Sequence, residues 1–206
     1  MPVDQKKREF FAFLSPLVAE VNFGLAADRE RIQEIRAKHD RGEKPGWFER
    51  RWLERLAGRL EVPIDSMDFG DALAMLERRT GVVPEAIVLA QAAIESGWGT
   101  SRFALEANNY FGQRCYEPAC GVSPAAADDD FGLARFPSVG DSVESYIRNL
   151  NTHPGYREFR EQRLALRESG MPVTGLALIA GLTNYSERGV EYVSDIATII
   201  RDNGLE

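Results

Sequence analysis

The sequence predicts an α+β protein that is mainly helical, with a small β-lobe and an N-terminal helical extension. Three observations predict it. Apolar residues recur at helical spacing through most of the 206 residues. Residues 110–136 lack that period and mix Gly, Pro, Cys and scattered aromatics, the composition of loops and a small β-hairpin. The run Ala86 to Ile94 is apolar on nearly every side, with Gln91 its single polar residue, and such a helix is a buried one.

Taken in order, residues 4–22 place Phe10, Phe11, Phe13, Leu14, Leu17, Val18 and Val21 on a broad helical stripe, and residues 25–41 are rich in Arg, Glu and Lys. The two segments read as a helical hairpin, with Lys6, Lys7 and Arg8 at its solvated end. Pro45-Gly46 breaks the chain before a third helix from Trp47 to Leu60, whose Trp52, Leu53, Leu56 and Leu60 follow helical spacing and whose tryptophans are expected in the core. Glu61 to Met67 reads as a linker. That divides the chain into an extension, residues 1–66, and a second domain, residues 67–206. Within the second, helices are expected near 68–79, from Pro84 to Glu95, at 139–150, 156–168, 173–182 and 189–203, with the β-lobe after the second of them.

A chain of this length with 44% apolar residues can bury a large core. The net charge of −7 and the lack of a concentrated basic face exclude nucleic acid as the main partner. No stretch reads as long and apolar enough to span a membrane, and the N-terminus lacks the pattern of a signal peptide. The two histidines, His39 and His153, lack ligand spacing, so no metal and no cofactor is expected. Cys115 and Cys120 enclose a four-residue loop; they either close a disulfide worth roughly 2 kcal/mol of loop entropy or stay as two reduced thiols. A disulfide suits an oxidising compartment.

The most informative residue is Glu95. It stands in the last turn of the buried helix, where desolvation and the negative end of the helix dipole both disfavour its ionised form. A carboxylic acid that keeps its proton near neutral pH suits a general acid. Gly97 and Gly99 end the helix and admit a ligand close to the backbone, and Trp98 offers an aromatic face. The competing reading is an exposed glutamate at a fraying helix end, with Trp98 as a core plug.

The stretch Ala90-Gln91-Ala92-Ala93-Ile94-Glu95-Ser96-Gly97-Trp98-Gly99-Thr100-Ser101, followed by Asn108-Asn109-Tyr110-Phe111-Gly112, resembles the signature of glycoside hydrolase family 73, bacterial endo-β-N-acetylglucosaminidases that cut peptidoglycan. Arg135 to Val139, Tyr146 to Asn151, Cys115 to Cys120, Tyr185 to Gly189 and the opening Phe10 to Val18 resemble its Bax-type branch, so the similarity spans nearly the whole chain. The resemblance implies a lysozyme-like fold, with the sugar chain in a cleft between helical body and β-lobe, and peptidoglycan as partner. It implies a periplasmic or cell-envelope location, with a native leader missing from this chain.

It further implies Glu95 as the general acid, Tyr185 as the residue that stabilises the reacting ring, and subsites shaped by Trp98, Asn109, Tyr110, Phe111 and Gln113. On the residues alone, Asn109 equally caps a turn and Phe111 equally belongs to the core. The family's usual hydrophobic-lysine ending after Phe-Gly is replaced here by Gln113-Arg114. No glutamate stands where relatives carry a second one in the β-lobe. Asp129 and Asp130, in the triplet Asp128-Asp129-Asp130, are the candidates to direct water, and assistance from the substrate's own 2-acetamido group is the alternative. The expected reaction is hydrolysis of β-1,4 bonds on the reducing side of N-acetylglucosamine. A muramidase or lytic transglycosylase using the same glutamate, and a non-catalytic peptidoglycan-binding module, are the competing functions.

Overall fold

The first helix, α1, runs unbroken from Val3 to Asp40. The computed structural model describes residues 2–115, 121–122 and 132–206. One helix therefore replaces the expected hairpin. Gly24, which lies between the two expected segments, costs a helix only about 1 kcal/mol, and both flanking halves are pinned by packing. Phe10, Leu14 and Val18 enter one apolar cluster, and Ile32 and Ile35 enter another. The merger also overturns the reading that no stretch reaches membrane-spanning length. By length and composition α1 suffices, and Phe10, Leu14 and Val18 within it are buried in the protein.

The second cluster joins the far half of α1 to α2 (Trp47–Arg59) and α3 (Phe69–Arg79) through Leu53, Leu56, Leu73 and Leu76. Glu49 starts α2 by accepting the Gly46 N–H at 2.8 Å and pairs with Lys38 of α1 at 2.5 Å. Asp68 caps α3 through the N–H groups of Gly70 and Asp71. Val62, in the segment read as a linker, is buried in this cluster. Trp52 packs against the cluster, whereas Trp47 is 73% exposed instead of lying in the core. It stands in the first turn of α2, edge-on to exposed Phe48.

The larger cluster is built around α4 (Glu85–Ser96), whose residues 86–93 are all buried. Helix α1 crosses it on one side, and α6 (Val139–Thr152) and α9 (Val190–Asp202) complete the shell. A short helix α5 (Arg102–Ala107) leads into a three-stranded antiparallel sheet, β1 (Arg114–Cys115), β2 (Gly121–Val122) and β3 (Gly132–Ala134), in the order β1-β3-β2. Leu133 faces Arg114 on one side and Val122 on the other, so the expected hairpin is a small sheet. Gly121 is obligatory there: a Cβ would stand 2.1 Å from the Leu133 carbonyl oxygen.

After α6 the chain makes a 3-10 turn (Pro154–Tyr156) and α7 (Arg157–Glu168). The helix expected at 173–182 is instead one α-turn, α8 (Gly175–Leu178), continued by a 3-10 segment, Ile179–Tyr185. Mainly helical, with a small sheet that follows α4 and the short α5, this is the α+β lysozyme-like architecture expected from the sequence.

Candidate active site

Helix α4 delivers Glu95 in its last turn and then stops abruptly. Gly97, Trp98 and Gly99 all take left-handed backbone conformations, with φ of 57°, 61° and 74°. Glycine adopts such angles freely, whereas for a bulky tryptophan they are strained. Two contacts hold the turn. The buried Ser96 hydroxyl donates to Ala92 O at 2.6 Å and accepts from the Gly99 N–H at 2.8 Å. The Trp98 ring meets Phe10 and Phe11 of α1 edge-on at 5.6 and 5.4 Å, with the Lys7 ammonium over its face.

Glu95 is partly buried, and burial pushes its carboxyl above the usual carboxylate range. One hydrogen bond opposes this: the Tyr192 hydroxyl donates to Oε1 at 2.7 Å. The other oxygen, Oε2, faces Gly112, where an added Cβ would come within 3.4 Å of it. Gly112 itself has φ +62°, so the backbone there is open both sterically and conformationally.

Behind Tyr192 the hydrogen bonding continues inward. Gln91, fully buried one turn before Glu95 on the same face of α4, donates its Nε2 to the Tyr192 oxygen at 2.9 Å. The Gln91 Oε1 accepts from the Tyr146 hydroxyl. Tyr185 stacks on Tyr192, centroids 5.5 Å apart and planes 3° from parallel, and its hydroxyl donates to the Phe111 carbonyl at 2.9 Å. Burial raises the hydroxyls of Tyr146, Tyr185 and Tyr192 well above the usual phenol range and Tyr156 to about 12. All four stay neutral and can donate at working pH.

The segment from Asn108 to Gln113 is the hinge between helices and sheet. Asn109, 1% exposed, gives its Nδ2 to Gln113 O and Ala134 O and takes the Gln113 N–H on its Oδ1. Phe111 is core, stacked on Tyr146 at 4.0 Å. Tyr110 stacks on Phe10, and its N–H meets the Ser142 hydroxyl. The Gln113 side chain bridges to Ser142 O and the Ser145 hydroxyl. The polar groups of Asn109 and Gln113 are thus engaged within the protein.

Among the expected site residues, Glu95 and Tyr185 meet through Tyr192, Phe111 lies against Tyr185, and Gly112 lies against Glu95. Trp98 and Tyr110 lie instead with the start of α1. Asp129, Asp130 and Cys120 fall outside the described residues, while Cys115 ends β1. Among the described residues no group of three His, Cys, Asp or Glu gathers to hold a metal. An apolar groove of about 760 Å³ between α1, α2 and α6 contains none of these side chains. Sequence reasoning passed over Gln91, Tyr146 and Tyr192 as site residues. Gln91 carried a signal, being the one polar residue in an apolar helix and four residues before Glu95.

Fold and site together define a glycoside hydrolase. The chain belongs to the Glucosaminidase family, whose model, described as mannosyl-glycoprotein endo-β-N-acetylglucosaminidase, matches residues 70–205. It is 33% identical over 198 residues to Protein bax of Escherichia coli (strain K12), across 96% of this chain and 70% of that protein. Among solved structures it is similar to the catalytic domain of the autolysin Auto from Listeria monocytogenes, with a TM-score of 0.45 and 20% identity over 79% of this chain and 88% of that one.

Proposed function

We propose that the protein hydrolyses β-1,4 glycosidic bonds in peptidoglycan glycan strands, on the reducing side of N-acetylglucosamine, with Glu95 as general acid. The observation that carries the reading is the partly buried carboxyl of Glu95, held above its usual range at the glycine-opened end of α4. In this scheme Oε2, the oxygen facing Gly112, protonates the leaving glycosidic oxygen, and the reacting sugar lies between α4 and the β-lobe. Tyr185 flanks the reacting ring. Trp98, Asn109, Tyr110, Phe111 and Gln113 shape the subsites by fixing the backbone that lines them. Asp129 or Asp130 directs the water, or the 2-acetamido group replaces it.

We assign catalysis to residues 67–206 and a supporting role to the extension, 1–66. Such a substrate belongs to the cell envelope, a setting that suits a disulfide between Cys115 and Cys120.

Purified sacculi digested with wild type and Glu95→Gln, then borohydride-reduced and analysed by mass spectrometry, test the reading. Fragments ending in reduced N-acetylglucosamine are expected from the wild type and not from the variant. Reduced muramic ends would point to a muramidase and 1,6-anhydromuramic ends to a lytic transglycosylase. Sedimentation with sacculi without release of fragments would leave a binding module. Asp129→Asn and Asp130→Asn extend the test: a loss of about 100-fold or more in either assigns the water to an aspartate, and wild-type rates in both favour attack on the anomeric carbon by the acetamido carbonyl oxygen, with water opening the resulting ring afterwards.

A further inference from the structure

The buried chain Tyr146, Gln91, Tyr192, Glu95 has a direction. A phenol carries one proton, whereas the primary amide of glutamine offers donors at one end and acceptors at the other. With Nε2 of Gln91 turned toward Tyr192, the Tyr192 oxygen already accepts, and its own proton goes to Oε1 of Glu95 at 2.7 Å. The opposite amide orientation is disfavoured by Tyr146. That hydroxyl is fully buried in the apolar cluster, packed against Phe111, and the Gln91 Oε1 is its acceptor; reversing the amide would strip its proton of that partner. Tyr192 sits on α9, which packs against α4, and Tyr146 on α6 lies fully buried in the same apolar cluster, so the amide is clamped between two fixed points.

We propose that Gln91, locked by Tyr146, is a positioning residue: it forces the single hydroxyl proton of Tyr192 onto Oε1 of Glu95 and so keeps the transferable proton on Oε2, above Gly112. The inference rests on Glu95 acting as the acid. It assigns two fully buried polar side chains, neither of which reaches substrate, to the protonation geometry of a third. The titratable groups that bear on Glu95 among the described residues are tyrosines: Tyr192 of α9, which hydrogen-bonds it, and Tyr146, Tyr156 and Tyr185, which sense its charge. Neutral throughout, they leave the direction of the donors, and not a neighbouring charge, as the means of control.

The test uses Tyr192→Phe, Tyr146→Phe and Gln91→Met in the full chain. The two phenylalanine variants keep the rings and their stacking, and methionine preserves the volume of the buried glutamine. Two readouts are taken: the titration of the Glu95 carboxyl by 13C NMR, which needs no activity, and kcat and KM against pH on a soluble glycan fragment. Removing the donor to Oε1 takes away a bond that favours the charged form. Tyr192→Phe is therefore expected to raise the Glu95 titration and to lower kcat by about tenfold or more, with KM little changed. Gln91→Met and Tyr146→Phe shift the titration the same way by less, and combining either with Tyr192→Phe adds no further shift. A Glu95 titration that stays at its wild-type position in all three variants, with only the melting temperature lowered, would overturn the relay. If the titration moves as expected but Glu95→Gln retains full activity, the relay stands and the general-acid reading fails.

Discussion

Burial of Glu95 gives stability a pH dependence of definite sign. Its folded carboxyl holds a proton to higher pH than the same group in the unfolded chain. As pH rises from the ordinary carboxylate range through the raised value, the unfolded state releases its proton first, so this group's contribution to stability is lost across that window. Glu95→Gln cannot ionise. It is expected to melt progressively higher relative to wild type as pH crosses the window and to converge with it below, in a series of thermal melts. A gap that widens toward low pH would contradict a raised carboxyl. On the proposal that Glu95 is the general acid, the activity limb on the alkaline side should fall through the same window, since a deprotonated acid has nothing to donate. Gly112→Ala acts on the same atoms: a methyl at φ +62° costs about 1–2 kcal/mol of backbone strain and crowds Oε2 from 3.4 Å. Stability measured in urea should fall by that amount, while kcat falls well beyond what the lost folded fraction explains.

Glu95 was legible because its environment is written locally, an apolar run ending in Gly-Trp-Gly. Tyr192 was not, because it lies 97 residues away and meets Glu95 only through the packing of α9 on α4. Gln91 sat in plain view, yet a lone polar residue in a buried helix has no readable partner until two other helices bring theirs. The same limit applied to whole elements. The break assigned near Gly24 and the core placement of Trp47 failed because local spacing does not say which faces find a partner. Arg163 of α7 is the strongest case. Its guanidinium, 1% exposed, donates to the carbonyls of Arg78, Gly81 and Val82 and to Asn151 Oδ1, binding the end of α3 to α6 and α7 through neutral acceptors. Gly81 leaves room for it, since a Cβ there would lie 2.0 Å from Cζ. Arg163→Met fills the volume but leaves four acceptors without these donors, and about 3–5 kcal/mol of unfolding free energy should vanish. Lysine, with one compact ammonium in place of the fork, is expected to restore only a fraction. Chemical denaturation of the three proteins decides it; equal midpoints for wild type and methionine would show the network to be idle.

At the scale of the molecule, α1 is the member shared by both apolar clusters. Its first half closes the larger cluster and braces the Trp98 turn through Phe10 and Phe11, and its second half packs with α2 and α3. Beside the Arg163 network, which also ties α3 to α6 and α7, a continuous helix couples the two clusters while its middle stays helical. That middle is Gly24, which is exposed and contributes no packing of its own; a methyl added there would meet nothing within 4 Å. Gly24→Ala should therefore stabilise the whole protein by about 1 kcal/mol through helix propensity alone. Gly24→Pro does the reverse: it removes a helical N–H and clashes with the carbonyl four residues back, at a cost of about 3 kcal/mol. Calorimetry separates the consequences. Wild type and the alanine variant are expected to unfold in one transition whose calorimetric and van't Hoff enthalpies agree, whereas the proline variant should split into two as the clusters uncouple. Two transitions already in the wild type would mean that α1 does not bind the clusters into one cooperative unit.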